Sequence, residues 1–192
     1  MWPICLIFVY GLITVRDSLN SGRPLRHIIS ILLQNESGAL ARVAGLFSSR
    51  GYNIESLSVA PTDDPAVSRL TLVTTGTDQV INQINKQISK LIDVVDRVEL
   101  TRRGHVEREL LLVKVRYVVT SKDRMTELLE RYKAEVVDQT DGLRVIELTG
   151  SGMDVDDFLR ELREFVEIHE VVRSGVAAIA SGDQILALRH TA

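Results

Sequence analysis

From Leu25 onward, apolar and polar positions fall into a regular series of short blocks. Ile28-Ile29-Ser30-Ile31-Leu32-Leu33 is an almost continuous apolar run and predicts a central strand covered on at least one face. Leu40, Val43, Ala44 and Phe47 then recur at i, i+3, i+4 and i+7, one face of a helix that stops at Gly51. Leu57 and Val59 alternate with serines, the cluster Pro61-Thr62-Asp63-Asp64-Pro65 is a turn, and Leu70 and Leu72 alternate again, so the two strands form a hairpin. Thr77 is placed to cap a second helix with Ile81, Ile84, Ile88 and Leu91 on its apolar face, and a strand follows over Val94 to Leu100.

After the charged stretch Arg102-Arg103-Gly104-His105 the same order returns. Leu110 to Val115 reads as a strand, and Met125, Leu128, Leu129 and Tyr132 as a helix face with Ser121 as its cap. Val136-Val137 and Leu143 to Leu148 flank the turn Thr140-Asp141-Gly142; Val155, Phe158, Leu159 and Leu162 make a fourth helix, and Val166 to Val172 a last strand. The predicted fold class is α+β: two tandem ferredoxin-like βαββαβ domains, over residues 25–102 and 103–192 with a short tail, duplicated in pattern rather than in residue identity. Such a domain leaves one sheet face bare and has edge strands to pair, so oligomerisation is expected.

Composition narrows the classes. The chain has 192 residues, 45% hydrophobic and 26% charged, with a formal charge of −3, the balance of an ordinary globular protein and a poor match to nucleic acid or an anionic membrane. One cysteine, Cys5, excludes an intramolecular disulfide and a cysteine zinc cluster, and the four scattered histidines give a metal site no local support. An RNA recognition module shares the βαββαβ order, but Ile28–Leu33 and Leu70–Thr74 lack the aromatic residues that it needs. Trp2 to Val15 is apolar yet too short to span a membrane, and residues 1–24 read as a disordered leader or a start placed too far upstream.

Catalytic signatures are absent from the sequence. Gly150-Ser151-Gly152 is a helix entry rather than a phosphate cradle, because Val155 stands where a third glycine belongs. Asp154, Asp156 and Asp157 read as helix-capping acids, and Asp63 and Asp64 as turn residues. Asn35-Glu36-Ser37-Gly38 has the sharpest physical content. Gly38 opens a helix whose free N–H groups can hold a carboxylate, Asn35 offers an amide oxygen to an ammonium, and Leu40, Ile54 and Leu57 can supply an apolar wall. On physics alone the segment reads first as a capped strand-to-helix turn and second as an amino-acid site.

The stretch from Ser30 to Ala60, with Pro61-Thr-Asp-Asp-Pro, His105-Val-Glu-Arg-Glu and Val172-Arg-Ser-Gly-Val, resembles the acetolactate synthase (acetohydroxyacid synthase) small-subunit family, whose first domain is an ACT domain. The resemblance runs from about Leu25 into the C-terminal region; residues 1–24 have no counterpart in it. It implies a non-catalytic, cytoplasmic regulatory chain that binds valine, dimerises through its ACT domains, and both activates a catalytic large subunit and makes it sensitive to valine. Thiamine diphosphate, Mg and FAD are expected in that partner and no cofactor in this chain. Carried over by position, the valine site uses Asn35, Gly38, Ala39 and Leu40 of one protomer with Asn53 and Ile54 of the other. The alternative is an ACT regulator of a different enzyme, sensing another amino acid.

Overall fold

The computed structural model describes residues 25–188, so the leader expected over residues 1–24 lies outside the described residues. Strand β1 (Leu25–Gln34), helix α1 (Ala39–Ser48), strands β2 (Ser56–Pro61) and β3 (Val67–Gly76), helix α2 (Asp78–Ile88) and strand β4 (Val94–Glu99) form the first βαββαβ unit. Its antiparallel sheet has the order β2-β3-β1-β4. Strand β5 (His105–Arg116), helix α3 (Lys122–Tyr132), strands β6 (Glu135–Thr140) and β7 (Leu143–Gly150), helix α4 (Gly152–Leu162) and strand β8 (Glu167–Arg173) repeat it, with the order β6-β7-β5-β8. A further short strand, β9 (Ala177–Ala180), pairs with the first residues of β5.

Alternation along β1 explains the first core. Ile29, Ile31 and Leu33 point to the helix side and meet Val43, Leu46 and Phe47 of α1, Ile81, Ile84 and Ile88 of α2, and Leu70 and Leu72 of β3. The second unit is built alike: Leu111, Val113 and Val115 of β5 pack on Met125, Leu128, Val155, Phe158 and Leu162. There the Tyr132 ring stands edge-on to Phe158, with centroids 5.5 Å apart.

Three expectations are corrected. The first sheet is not bare: Ile28 and Leu32, on the face away from the helices, are buried with Val176, Ala178 and Leu186 from the segment after β8. That segment crosses from the second unit onto the first, so both faces of β1 are covered and its apolar run is continuous. On α1, the buried stripe is Ala39, Val43, Leu46 and Phe47, rotated from the expected one, and Leu40 and Ala44 are exposed. Ser121 does not cap α3. A 3-10 turn over Val119–Ser121 leads directly into the helix, and the Ser121 hydroxyl instead donates to the Phe165 carbonyl at 3.3 Å. Thr77 does cap α2, accepting from the Val80 N–H at 3.4 Å.

Candidate functional site at the entry to the first helix

Asn35 leaves β1 tied to the β2–β3 turn twice. Its backbone N–H donates to the Ala66 carbonyl at 2.7 Å and its side-chain amide donates to the Pro65 carbonyl at 2.9 Å. The side-chain oxygen of this exposed residue is thereby left as a free acceptor. Three residues on, Gly38 turns the chain into α1 with φ +87°, a left-handed conformation that glycine adopts without strain.

The N-terminus of α1 carries no side-chain cap and no acidic residue in its first turn. α4, by contrast, is closed by a capping box in which Ser151 and Asp154 satisfy each other's backbone N–H groups. In α1 the Ala39 N–H donates to the Glu36 carbonyl at 3.2 Å and the Arg42 N–H to the Gly38 carbonyl at 2.9 Å. The N–H groups between them, on Leu40 and Ala41, remain at the positive end of the helix for an anion. Ala39 is buried, so it can contribute only through its backbone, whereas the Leu40 side chain is exposed beside the opening.

Arg42, one turn into the helix, frames this opening, and the sequence reading missed it. Its guanidinium grips the Asp93 carboxylate through Nε and, at 2.6 Å, through Nη2. The third nitrogen, Nη1, lies 3.0 Å from where a Cβ on Gly38 would stand. Hydrogen bonds from Arg42 hold the Asp93 carboxyl below the usual carboxylate range, and the same bonds raise Arg42. Asp93 is buried and its carbonyl accepts from the Gln34 N–H at 2.8 Å, which fixes the pair to the end of β1. The sequence signal was a lone arginine four residues after the glycine; its partner, 51 residues away, has no local signal.

Asn53 and Ile54 lie elsewhere. Exposed Asn53 precedes β2, and its carbonyl accepts from the Thr74 hydroxyl at 2.6 Å, while Ile54 packs at the margin of the helix-side core. Thr74 stands opposite His27 in the β1–β3 register, whereas Gln34, next to Asn35, stands opposite Val67. Those pairs are seven strand residues apart, roughly 23 Å at about 3.3 Å per residue. Within one chain, then, Asn35, Gly38, Ala39 and Leu40 sit at one end of the sheet and Asn53 and Ile54 at the other. A cavity of about 730 Å³ on the far face, lined by Leu32, Ala60, Asp64, Arg69, Val106 and Ile179 among others, includes none of the six.

Residues 105–109 and 172–176 meet at the joint between the two units. Glu107 of β5 accepts from Arg26 of β1 at 3.0 Å and from the Gly152 N–H at the start of α4, also at 3.0 Å. Buried Glu109 receives Nε and Nη2 of Arg173 at 2.9 and 2.7 Å, and Arg173 also reaches Asp156 at 2.7 Å. These bonds raise the Arg173 pKa, its hydrogen bonds to Glu109 most of all. Gly175 passes so close to the Leu57 backbone that a Cβ would stand 3.4 Å from its carbonyl oxygen. Asp156 and Asp157 are thus ion-paired, the latter with Arg160 at 2.7 Å, and Asp64 accepts within its own turn from the Ala66 N–H at 2.9 Å.

Comparison with known proteins accounts for both units. A sequence model of the AHAS small subunit-like ACT domain matches residues 29–96, and one of the small subunit of acetolactate synthase matches residues 108–182. The acetolactate synthase isozyme 3 small subunit of Escherichia coli (strain K12) is 48% identical over 162 residues, 84% of this chain and 99% of that one. The chain belongs to the acetolactate synthase small-subunit family. The Haemophilus influenzae acetolactate synthase small subunit is 46% identical over 160 residues, 83% of this chain and 98% of its own. In three dimensions, the acetolactate synthase small subunit from Thermotoga maritima superposes with a TM-score of 0.73 at 33% identity, covering 83% of this chain and 99% of that one. The tandem ferredoxin-like arrangement with an ACT domain first is therefore that of this small-subunit family. Among the described residues no helix is long and apolar enough to cross a membrane, and no group of three or more His, Cys, Asp and Glu is arranged to hold a metal ion.

Proposed function

We propose that this chain is the regulatory subunit of an acetolactate synthase, binding valine between two copies of its first domain and transmitting that occupancy to a catalytic large subunit. The observation that carries the reading is the uncapped entry of α1: Gly38 at the turn, the two free N–H groups of Leu40 and Ala41, and the Arg42 edge beside the glycine, with Asn35 three residues before it. An α-carboxylate takes the N–H groups, an α-ammonium takes Asn35, and Leu40 lies against a small aliphatic side chain.

The remaining wall comes from a second chain. β2 is an edge strand parallel in direction to β1, since both run antiparallel to β3. Two-fold pairing of β2 with its copy brings the start of one β2 beside the end of the other. Asn53 and Ile54 of one protomer then reach the α1 entry of its partner. Exposed Leu40 and Ala44 give α1 an apolar strip for the same contact. Such a dimer satisfies the β2 edge, which the C-terminal segment leaves unpaired while covering the sheet face.

In this reading the chain carries no chemistry of its own and works in the cytoplasm. Thiamine diphosphate, Mg and FAD belong to the large subunit. Valine favours one arrangement of the paired domains, and the coupling transmitted to the partner is about 1–3 kcal/mol, the usual size. Calorimetry of the purified chain with valine, leucine and isoleucine tests the ligand, and activity of the reconstituted enzyme tests the coupling. Saturable valine binding with inhibition over the same concentrations supports the proposal. No valine binding, or tighter binding of an unrelated amino acid, favours a regulator of a different enzyme.

A further inference from the structure

At the edge of the first sheet opposite β2, α2 and β4 form a second concavity of about 550 Å³, within the usual range for a small-molecule site of about 300–1,000 Å³. Its lining carries four cations, Lys86, Arg97, Arg102 and Arg103, against one carboxylate, Glu99. Glu99 is engaged: its oxygen is hydrogen-bonded to Nδ1 of buried His27 at 2.8 Å. Arg102 is paired with Asp78.

The side chains of the other three cations form no ion pair among the described residues, although the Arg97 backbone N–H donates to the Asp96 carboxylate at 2.7 Å. Arg97 is held in place by neutral acceptors, the Asn85 side-chain oxygen at 3.0 Å and the Ser89 hydroxyl at 2.8 Å. Arg103 is held by the Gln184 side-chain oxygen at 2.7 Å, from the C-terminal segment. Exposed Lys86 takes part in no ion pair. Like charges crowded into a cleft repel one another, and a concave wall concentrates their field on whatever enters. Two guanidinium forks already fixed by neutral partners lose little freedom on binding an anion, and their planar donors match phosphate oxygens two at a time.

We infer that this cleft binds a small anion carrying phosphate. One carboxylate would leave most of the positive charge unanswered, whereas a phosphate ester or diphosphate presents several oxygens to α2, β4 and the link after β4 together. The site is independent of the valine reading and lies away from the β2 edge, so pairing through β2 leaves it open.

The test is calorimetry of the full chain with inorganic pyrophosphate at low ionic strength. Saturable binding that weakens as salt is raised is the expected result. Lys86→Gln and Arg97→Gln should each lower affinity about tenfold, the loss of one charge-assisted hydrogen bond. Arg131→Gln, at a remote arginine paired with Glu127 and Glu161, should leave it unchanged. Arg97 also joins α2 to β4, so Lys86→Gln, on the exposed helix surface, decides the matter if Arg97→Gln does not fold. Absence of saturable binding overturns the inference, as does equal affinity in Lys86→Gln and Arg131→Gln. Tighter binding of polyglutamate than of pyrophosphate overturns it too, because the cleft would then serve an acidic polypeptide.

Discussion

Arg42 and Asp93 close the space beside Gly38: two guanidinium nitrogens hold the buried carboxylate, and the third lies over the glycine. This pair joins the first turn of α1 to the residue before β4. It makes the α1 entry a rigid, positively framed opening, where an ordinary helix would place a capping side chain.

Gly38→Asp should therefore abolish the response to valine while leaving activation of the catalytic subunit intact. The new side chain occupies the opening and brings a negative charge to meet the ligand carboxylate. The left-handed backbone at Gly38 adds a stability cost of roughly 1–2 kcal/mol, visible as a modest fall in melting temperature. Full valine inhibition of reconstituted enzyme bearing this change would remove Gly38 from the site.

The distance within one chain between the two groups of residues proposed for the valine site gives a sharper test. Asn53→Ala should weaken valine binding about tenfold, the loss of one hydrogen bond to a charged group. In a mixed dimer of one Gly38→Asp chain and one Asn53→Ala chain, one site carries both lesions and the other carries neither. Co-refolding the two variants should restore native-affinity sites in about a quarter of all positions, since half the dimers are mixed. Calorimetry that finds no recovery would place both halves within one chain.

The joint between the units depends on Glu109, whose carboxylate is buried against Arg173. Arg173→Ala leaves that carboxylate unpaired and should destabilise the protein by about 2–3 kcal/mol in urea unfolding. This is less than for a fully buried pair, because Arg173 is partly open to water. Glu109→Gln, which keeps a hydrogen-bonding oxygen, should cost less. If the two variants unfold together with wild type, the joint is held by apolar packing alone.

Val176 and Leu186 cover the first sheet from the far end of the chain. A double change, Val176→Asp with Leu186→Asp, should expose Ile28, Leu32 and Val73 and raise the fluorescence of a dye that binds apolar surface. Unchanged dye binding would mean that the segment does not hold that face in solution.

Asp154 of the α4 capping box has its pKa lowered, first by the Ser151 side-chain hydrogen bond and then by the backbone one. A carboxyl depressed in the folded state contributes stability above its unfolded pKa of about 3.9, and that stability is lost as pH falls through the folded value. Ser151→Ala should cost about 1 kcal/mol at neutral pH. The gap to wild type should narrow on acidification below about pH 4 in thermal melts. A gap independent of pH would show that the cap acts without the carboxylate.

Much of this was legible in the chain itself. The order βαββαβ, its repetition and most core positions follow from local periodicity, because a strand alternates at two and a helix at 3.6 residues regardless of what surrounds it. Asn35 and Gly38 were legible for the same reason: a glycine between an apolar strand and an apolar helix marks a special turn. Tertiary structure decided the rest. Arg42 acquires its meaning from Asp93, 51 residues away, and Glu109 from Arg173, 64 residues away; such pairing has no local period. The rotation of the α1 stripe, which turns Leu40 outward, depends on where the sheet lies beneath it. Covering of the first sheet by residues that follow β8 was likewise invisible, because an apolar residue in sequence does not say which of two equally apolar faces it will meet.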